Sequence, residues 1–381
     1  MPMARVVLRW HWACDVCASG GVHMSDVARI LDRLAAFEPT GQPFLSIYVD
    51  ARPDNTGREH WQANVRKELG ERAKTYGRRT VAREDFDAAA ERALRWLERE
   101  HSPSANGVVV FACTSADIFD ALELEVPLEE TEIYAAPRPH LYPLARVLDR
   151  YRRYAVAVTD TSLARIFVVA LGTIEPRGEV EGEKMRRTDM GGWSQARYQR
   201  HVDQHRVEHT REVVEALERI VREERIDHVA VAGNEAAMAL LRAQLTKPLT
   251  ALVTELPHVG VGASETDILR ETLEIMSQQE ARDDADRVAR MYDAYRAGGL
   301  GMIGLAGTRA ALENGQVHEL LLVSSPDQLE GTDGAAIADE LVAKARQTDA
   351  RVIFIEDATL LAEAGGVGAI LRYRLQRRRA A

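Results

Sequence analysis

Ala311-Leu-Glu-Asn-Gly-Gln-Val-His-Glu-Leu-Leu-Leu322 packs a helix end, a turn and a strand into one short stretch. The helix Thr308–Asn314 ends inside it. Leu320–Val323 then runs apolar without a polar break, as a strand buried on both faces does. Outward from there the pattern alternates cleanly: helix Thr308–Asn314, strand Leu320–Val323, helix Ala335–Gln347, strand Val352–Ile355, and a last strand in Ala369–Tyr373. Alternating α and β elements of this length predict a three-layer α/β/α sandwich.

Upstream, Thr266–Tyr295 reads as a long charged helix stopped by Gly298-Gly299, with Pro257–Gly262 as a hinge before it. Ala155–Val158 and Ile166–Val169 read as paired strands around Asp160-Thr161. A helix from Gln195 to Arg225 follows, then a strand at Val229–Val231 and a capped helix after Gly233-Asn234. Nearer the N-terminus come a helix at Val27–Phe37, a strand at Phe44–Val49 and charged helical stretches at His60–Tyr76 and Asp85–Glu100. An apolar strand at Gly107–Cys113 and a Pro-rich boundary at Pro137–Pro143 complete this part. The expected fold class is α/β, with three mixed α/β domains at 24–150, 151–258 and 262–381. The middle one carries a projecting Gly-Gly loop.

Composition limits the function. With 381 residues, 46% hydrophobic and 28% charged, the chain has the make-up of a soluble globular protein. A net charge of -10 argues against bulk binding to nucleic acid, DNA included. The charge is nonetheless segregated. From Glu183 to Arg200 there are five Lys/Arg against two acids, and Leu371–Arg379 holds five Arg and no acid. Any RNA contact should therefore be local and salt-sensitive. Three cysteines make no disulfide framework, which fits a reducing cytoplasm. No apolar run approaches the ~20 residues of a membrane span. Residues 1–23 lack the continuous apolar segment of a signal peptide and read as a loose extension or a misassigned start.

One segment concentrates the chemistry: Met190-Gly-Gly-Trp-Ser-Gln-Ala-Arg-Tyr-Gln-Arg200. Gly191 and Gly192 permit positive φ and let another molecule approach without a Cβ in the way. Gln195 brings an amide, Lys184, Arg186, Arg187, Arg197 and Arg200 bring phosphate-binding charge, and Trp193 with Ser194 brings a ring able to stack on a nucleobase.

This loop resembles the Gly-Gly-Gln loop that class-1 peptide-chain release factors insert into the ribosomal peptidyl-transferase centre. Ala311–Leu322 is similar to the opening of the third domain of archaeal and eukaryotic release factors and of Pelota, and Gly365–Tyr373 to its close. Ala294–Leu300 resembles the family's helix-to-domain junction, and Ser46–Asp50 more weakly its N-terminal domain. The chain is identified as a bacterial member of this archaeo-eukaryotic release factor and Pelota-like family, in the branch that includes the hibernation factor Balon. The resemblance implies a cytoplasmic protein with no cofactor whose partners are ribosomal RNA and the P-site tRNA, with a translational GTPase as a further candidate. It implies release chemistry at Gly191, Gly192 and Gln195, with Lys184, Arg186, Arg187, Trp193, Ser194, Arg197 and Arg200 on RNA. The alternative is a hibernation factor that occupies the A site without turnover.

Two departures from the family matter. Its codon-reading Asn-Ile-Lys-Ser and Tyr-x-Cys-x-x-x-Phe motifs are absent, so codon-independent action is expected. Trp193 and Ser194 separate Gly192 from Gln195, displacing the amide by ~7 Å if extended or ~3 Å if helical.

Other motifs carry less. His201, His205 and His209 fall on one helix face among charged neighbours, which suits RNA contact better than zinc. Cys14 and Cys17 form a lone pair, weak for zinc, so no metal is expected. Gly299-x-Gly-x-x-Gly304 spells a dinucleotide fingerprint but follows a helix where that fingerprint follows a strand.

Overall fold

A computed structural model describes residues 24–53, 61–181, 193–257 and 259–374. The N-terminal elements are α1 (Met24–Ala35), β1 (Phe44–Asp50), α2 (Trp61–Ala73), α3 (Val81–Arg99), β2 (Gly107–Cys113), β3 (Ile118–Leu124), β4 (Glu132–Ala136) and α4 (Tyr142–Arg150). Then come β5 (Tyr154–Thr159), β6 (Leu163–Ala170), β7 (Thr173–Glu181), α5 (Trp193–Glu223), β8 (Val229–Gly233), α6 (Glu235–Gln244), α7 (Lys247–Thr250) and β9 (Val253–Glu255). The last are α8 (Glu265–Arg296), β10 (Gly301–Ile303), α9 (Leu305–Glu313), β11 (Val317–Val323), α10 (Gly334–Gln347), β12 (Arg351–Ile355) and β13 (Val367–Leu371). The described chain divides into two compact units: residues 152–279, and residues 24–151 together with 280–381.

Unit 152–279 holds a five-stranded sheet of order β7-β6-β5-β8-β9. Its central strands are buried, β5 at every position and β8 at all but its last, because both faces are covered. Ala155, Ala157, Val229 and Val231 meet Val213, Leu217 and Ile220 of α5 and Met238 and Leu241 of α6. Val156, Val158, Ala230 and Ala232 meet Ile268 and Met276 of α8. The β5–β6 turn is closed by Asp160, whose Oδ1 accepts the N–H groups of Ser162 and Leu163 at 2.7 and 2.8 Å. Asn234 caps α6, accepting from the Ala237 N–H at 2.9 Å.

The other unit contains two sheets, β3-β2-β1-β4 and β10-β13-β11-β12. In the first, Ile47 lies between Val110 and Ile133, and all three face α2 and α3. In the second, α10 joins the parallel pair β11 and β12, and β13 runs antiparallel to β11 and β10. Helices cover both faces of this sheet. A Cβ on Gly301 would stand 2.2 Å from the Met291 carbonyl of α8, while α9 packs on Met302, the neighbouring residue of opposite direction. The α/β/α reading of the C-terminal segment holds. Helix α9 closes at Asn314-Gly315: Gly315 has φ 63°, and Gln316 N–H donates to the Ala311 carbonyl at 2.9 Å.

The fingerprint-like Gly299–Gly304 follows helix α8, as expected, and holds the short strand β10 within it. Gly301 is used for close packing on α8, and β10 pairs antiparallel with β13, outside the βαβ setting of a dinucleotide site. Five strands escaped the sequence reading: β3, β4, β7, β9 and β10. All are edge strands, and β3, β4 and β7 are largely half exposed, so their alternation is diluted. In β7, Pro176 and Gly178 mask the strand further, and the register slips there by one residue.

Pro137–Pro143 leads into α4, which begins without a side-chain cap of its own. Asp339 of α10 supplies one: its Oδ1 accepts the N–H groups of Leu141 and Tyr142 at 2.8 and 2.9 Å. Its Oδ2 lies 2.5 Å from Nδ1 of the buried His140. Asp149 returns the contact, accepting the Phe354 N–H of β12 at 2.7 Å. Truncation of Asp339 strands three donors at a largely buried site. Asp339→Ala is therefore expected to lower unfolding stability by about 3 kcal/mol, and Asp339→Asn by roughly half that, measured by urea denaturation.

Candidate functional site

The candidate segment lies between β7 and α5. Lys184, Arg186, Arg187, Gly191 and Gly192 lie outside the described residues. Trp193, Ser194, Gln195 and Arg197 are described as backbone, in the opening turns of α5. Arg200 is exposed on the same helix.

The helix begins at Trp193, two residues before the expected start at Gln195. Within this helix Trp193 and Ser194 add about 3 Å along the axis, the smaller of the two displacements considered.

Farther along, α5 is fixed to the sheet from His209 onward. Between Arg200 and Glu208 no residue is buried, whereas His209, Thr210, Val213, Val214 and Leu217 are. At its far end Glu224 receives Arg153 at 2.5 Å and Arg177 of β7 at 3.5 Å. The helix is thus clamped over its second half, and from Arg200 to Glu208 it buries no side chain fully. Nothing in the spacing of Arg153, Arg177 and Glu224 marks this clamp in the sequence, because it joins three separate elements.

His209 is the part of the histidine stripe that sequence reading misplaced. It is buried, and neither ring nitrogen has a partner of ordinary hydrogen-bond geometry. Burial pushes its imidazole below the ordinary histidine value, and the Asp160 carboxylate and Leu163 backbone oppose this only in part. Among the described residues no three His, Cys, Asp or Glu side chains converge on a metal-sized site. No described helix is long and apolar enough to cross a membrane.

Residues 139–277, which span this sheet and the loop beside it, match the family model described as bacterial archaeo-eukaryotic release factor family 10. This segment belongs to the release-factor-like family. Peptide chain release factor subunit 1 of Aeropyrum pernix is 24% identical to this release-factor-like chain over 375 residues, covering 92% of it and 95% of the archaeal protein. A structure described as ribosome-bound archaeal Pelota and ABCE1 is similar at 16% identity and a TM-score of 0.43, over 93% of this chain and 96% of that one. Saccharomyces cerevisiae Dom34, described as a translation termination-like factor interacting with Hbs1, is similar at 11% identity and a TM-score of 0.42, over 71% and 81%.

The buried histidine of the release-factor-like chain gives a pH prediction. Its folded value lies below the unfolded value near 6.5. Above that pH both states are neutral and no stability is lost. As pH falls through 6.5 the unfolded chain takes up a proton that the native one refuses, so stability declines. Thermal unfolding followed from pH 8 to pH 5 should show this decline in the wild type and a shallower one in His209→Leu.

Proposed function

We propose that this release-factor-like chain occupies the ribosomal A site without reading a codon and promotes peptidyl-tRNA hydrolysis on stalled ribosomes. The loop Gly191–Gln195 would enter the peptidyl-transferase centre. The observation that carries the reading is the family match over 139–277, which spans the sheet, the glycine loop and the helix that starts two residues before Gln195. The archaeal relative is named a peptide chain release factor, and one similar structure is a ribosome-bound Pelota.

In this reading a water attacks the ester carbonyl that joins the peptide to the tRNA ribose. The acyl–oxygen bond breaks, and the ribose oxygen takes the proton. The chain supplies the Gln195 side-chain amide to orient the water and the Gln195 N–H to hold the oxyanion. Gly191 and Gly192 allow close approach. Lys184, Arg186, Arg187, Arg197 and Arg200 contact phosphates, and Trp193 and Ser194 contact RNA. Ribosomal RNA and the P-site tRNA provide the remaining groups. The setting is cytoplasmic, and a translational GTPase is the delivery partner we would seek first. Dom34 is described as interacting with Hbs1.

The competing reading is a hibernation factor that docks and blocks the centre. Trp193 and Ser194 favour it, because they shift the amide from the Gly-Gly-Gln position. The deciding experiment is release of labelled peptide from bacterial ribosomes with peptidyl-tRNA and an empty A site. Wild type should release peptide. Gln195→Ala should bind normally and release roughly 10²-fold more slowly. Stoichiometric co-sedimentation without release by wild type would replace hydrolysis with docking.

A further inference from the structure

Two imidazole rings stand stacked on α5 a little beyond its opening turns. His201 and His205 are one helical turn apart, with ring centroids 4.4 Å apart and planes inclined by 30°. Residues at i and i+4 share a helix face, and His209, one turn further, is the buried residue that seats this face on its own unit. The stripe therefore passes from buried His209 through half-buried His205 to exposed His201. His205 is held from one side by Glu208, whose carboxylate lies 3.7 Å from Nδ1. The two rings are stacked on a helix segment that buries no side chain fully between Arg200 and Glu208.

We propose that the His201–His205 stack is a platform for an unpaired base of ribosomal RNA. The inference rests on the reading that the adjoining loop enters an RNA-lined site, and it adds a contact outside that loop. Splayed-out RNA bases stack on aromatic side chains, histidine among them. A pair already stacked presents its outer ring in a fixed plane, so less ordering is required when a base arrives. Charge favours this occupant as well. In sequence, Lys184 to Arg206 holds six Lys/Arg and two acids, in a chain whose net charge is -10, and Arg200 and Arg206 of α5 flank the pair. A phosphate backbone running past a stacked base gains from such charge, whereas a basic protein partner would not.

The experiment measures the affinity of the full chain for purified large ribosomal subunits, with chemical probing of RNA bases in the same complexes. His201 is exposed, and circular dichroism and unfolding of each variant should match wild type. His201→Ala is expected to weaken binding about tenfold and to abolish protection of at least one unpaired base. His201→Phe, which keeps the flat ring, should bind within about twofold of wild type, and His201→Gln, which keeps a polar group, should be as weak as alanine. Binding by His201→Ala equal to wild type overturns the platform, as does retention by His201→Gln with loss in His201→Phe. If the wild type itself does not bind ribosomal subunits, the proposed function fails. If it binds and His201 is silent, the stacking inference alone fails.

Discussion

The carboxylate of Asp339 is the contact on which the larger unit depends. A helix that begins Leu141-Tyr142-Pro143 has no Ser, Thr, Asp or Asn to satisfy its opening N–H groups. Left alone it would present those donors unpaired at a buried site. Asp339, on a helix nearly two hundred residues later, accepts two of them and brings negative charge to the positive end of α4. The carboxylate also engages His140, whose N–H donates to Ser46 Oγ at 3.0 Å and whose carbonyl accepts from Tyr48. One side chain of the C-terminal segment is thereby wired into strand β1 of the N-terminal sheet. The surrounding contacts follow suit: Arg146 binds Glu129 and Glu356, Tyr142 donates to the Val323 carbonyl at 3.0 Å, and Arg346 reaches Asp32 at 2.6 Å. Polar groups buried in such a network fix orientation more than they add stability, because each loses water on the way in.

What could be read in the sequence was whatever is decided locally. The apolar runs of β2, β5, β8 and β11 gave themselves away because strands covered on both faces need no polar positions. The stop at Gly298 was legible because a helix end is local chemistry, and that glycine takes a positive φ. The edge strands were not legible, since their pairing partners, and hence their buried faces, lie far along the chain. β7 is the extreme case, with a proline and a register slip inside one strand. The Asp339 cap was invisible for the same reason. No pattern in 334–347 distinguishes Asp339 from the other exposed-face residues of an amphipathic helix until α4 is placed beside it.

The candidate site was legible in a different sense. Its residue types and the resemblance named it, and the structure adds how it is held. Helix α5 is tied down from His209 to Glu224, by apolar contacts to the sheet and by the Arg153 and Arg177 ion pairs at its far end. His209 was expected among solvated neighbours because the residues flanking it in sequence are charged. Those neighbours occupy other faces of the helix, and the face that matters is chosen by the Asp160 turn, which no local pattern reveals. A helix seated this way is a lever: its second half fixes direction, and its first half carries whatever precedes it.

That lever sharpens the question raised by Trp193 and Ser194. Two added helical residues advance the chain by about 3 Å and turn it by about 200° around the axis. The advance alone is small enough for a loop to absorb, but the rotation directs a side chain to nearly the opposite side. Because α5 is clamped, the compensation has to come from upstream of Trp193, and there the sequence places Gly191 and Gly192, the two residues with the widest φ range available.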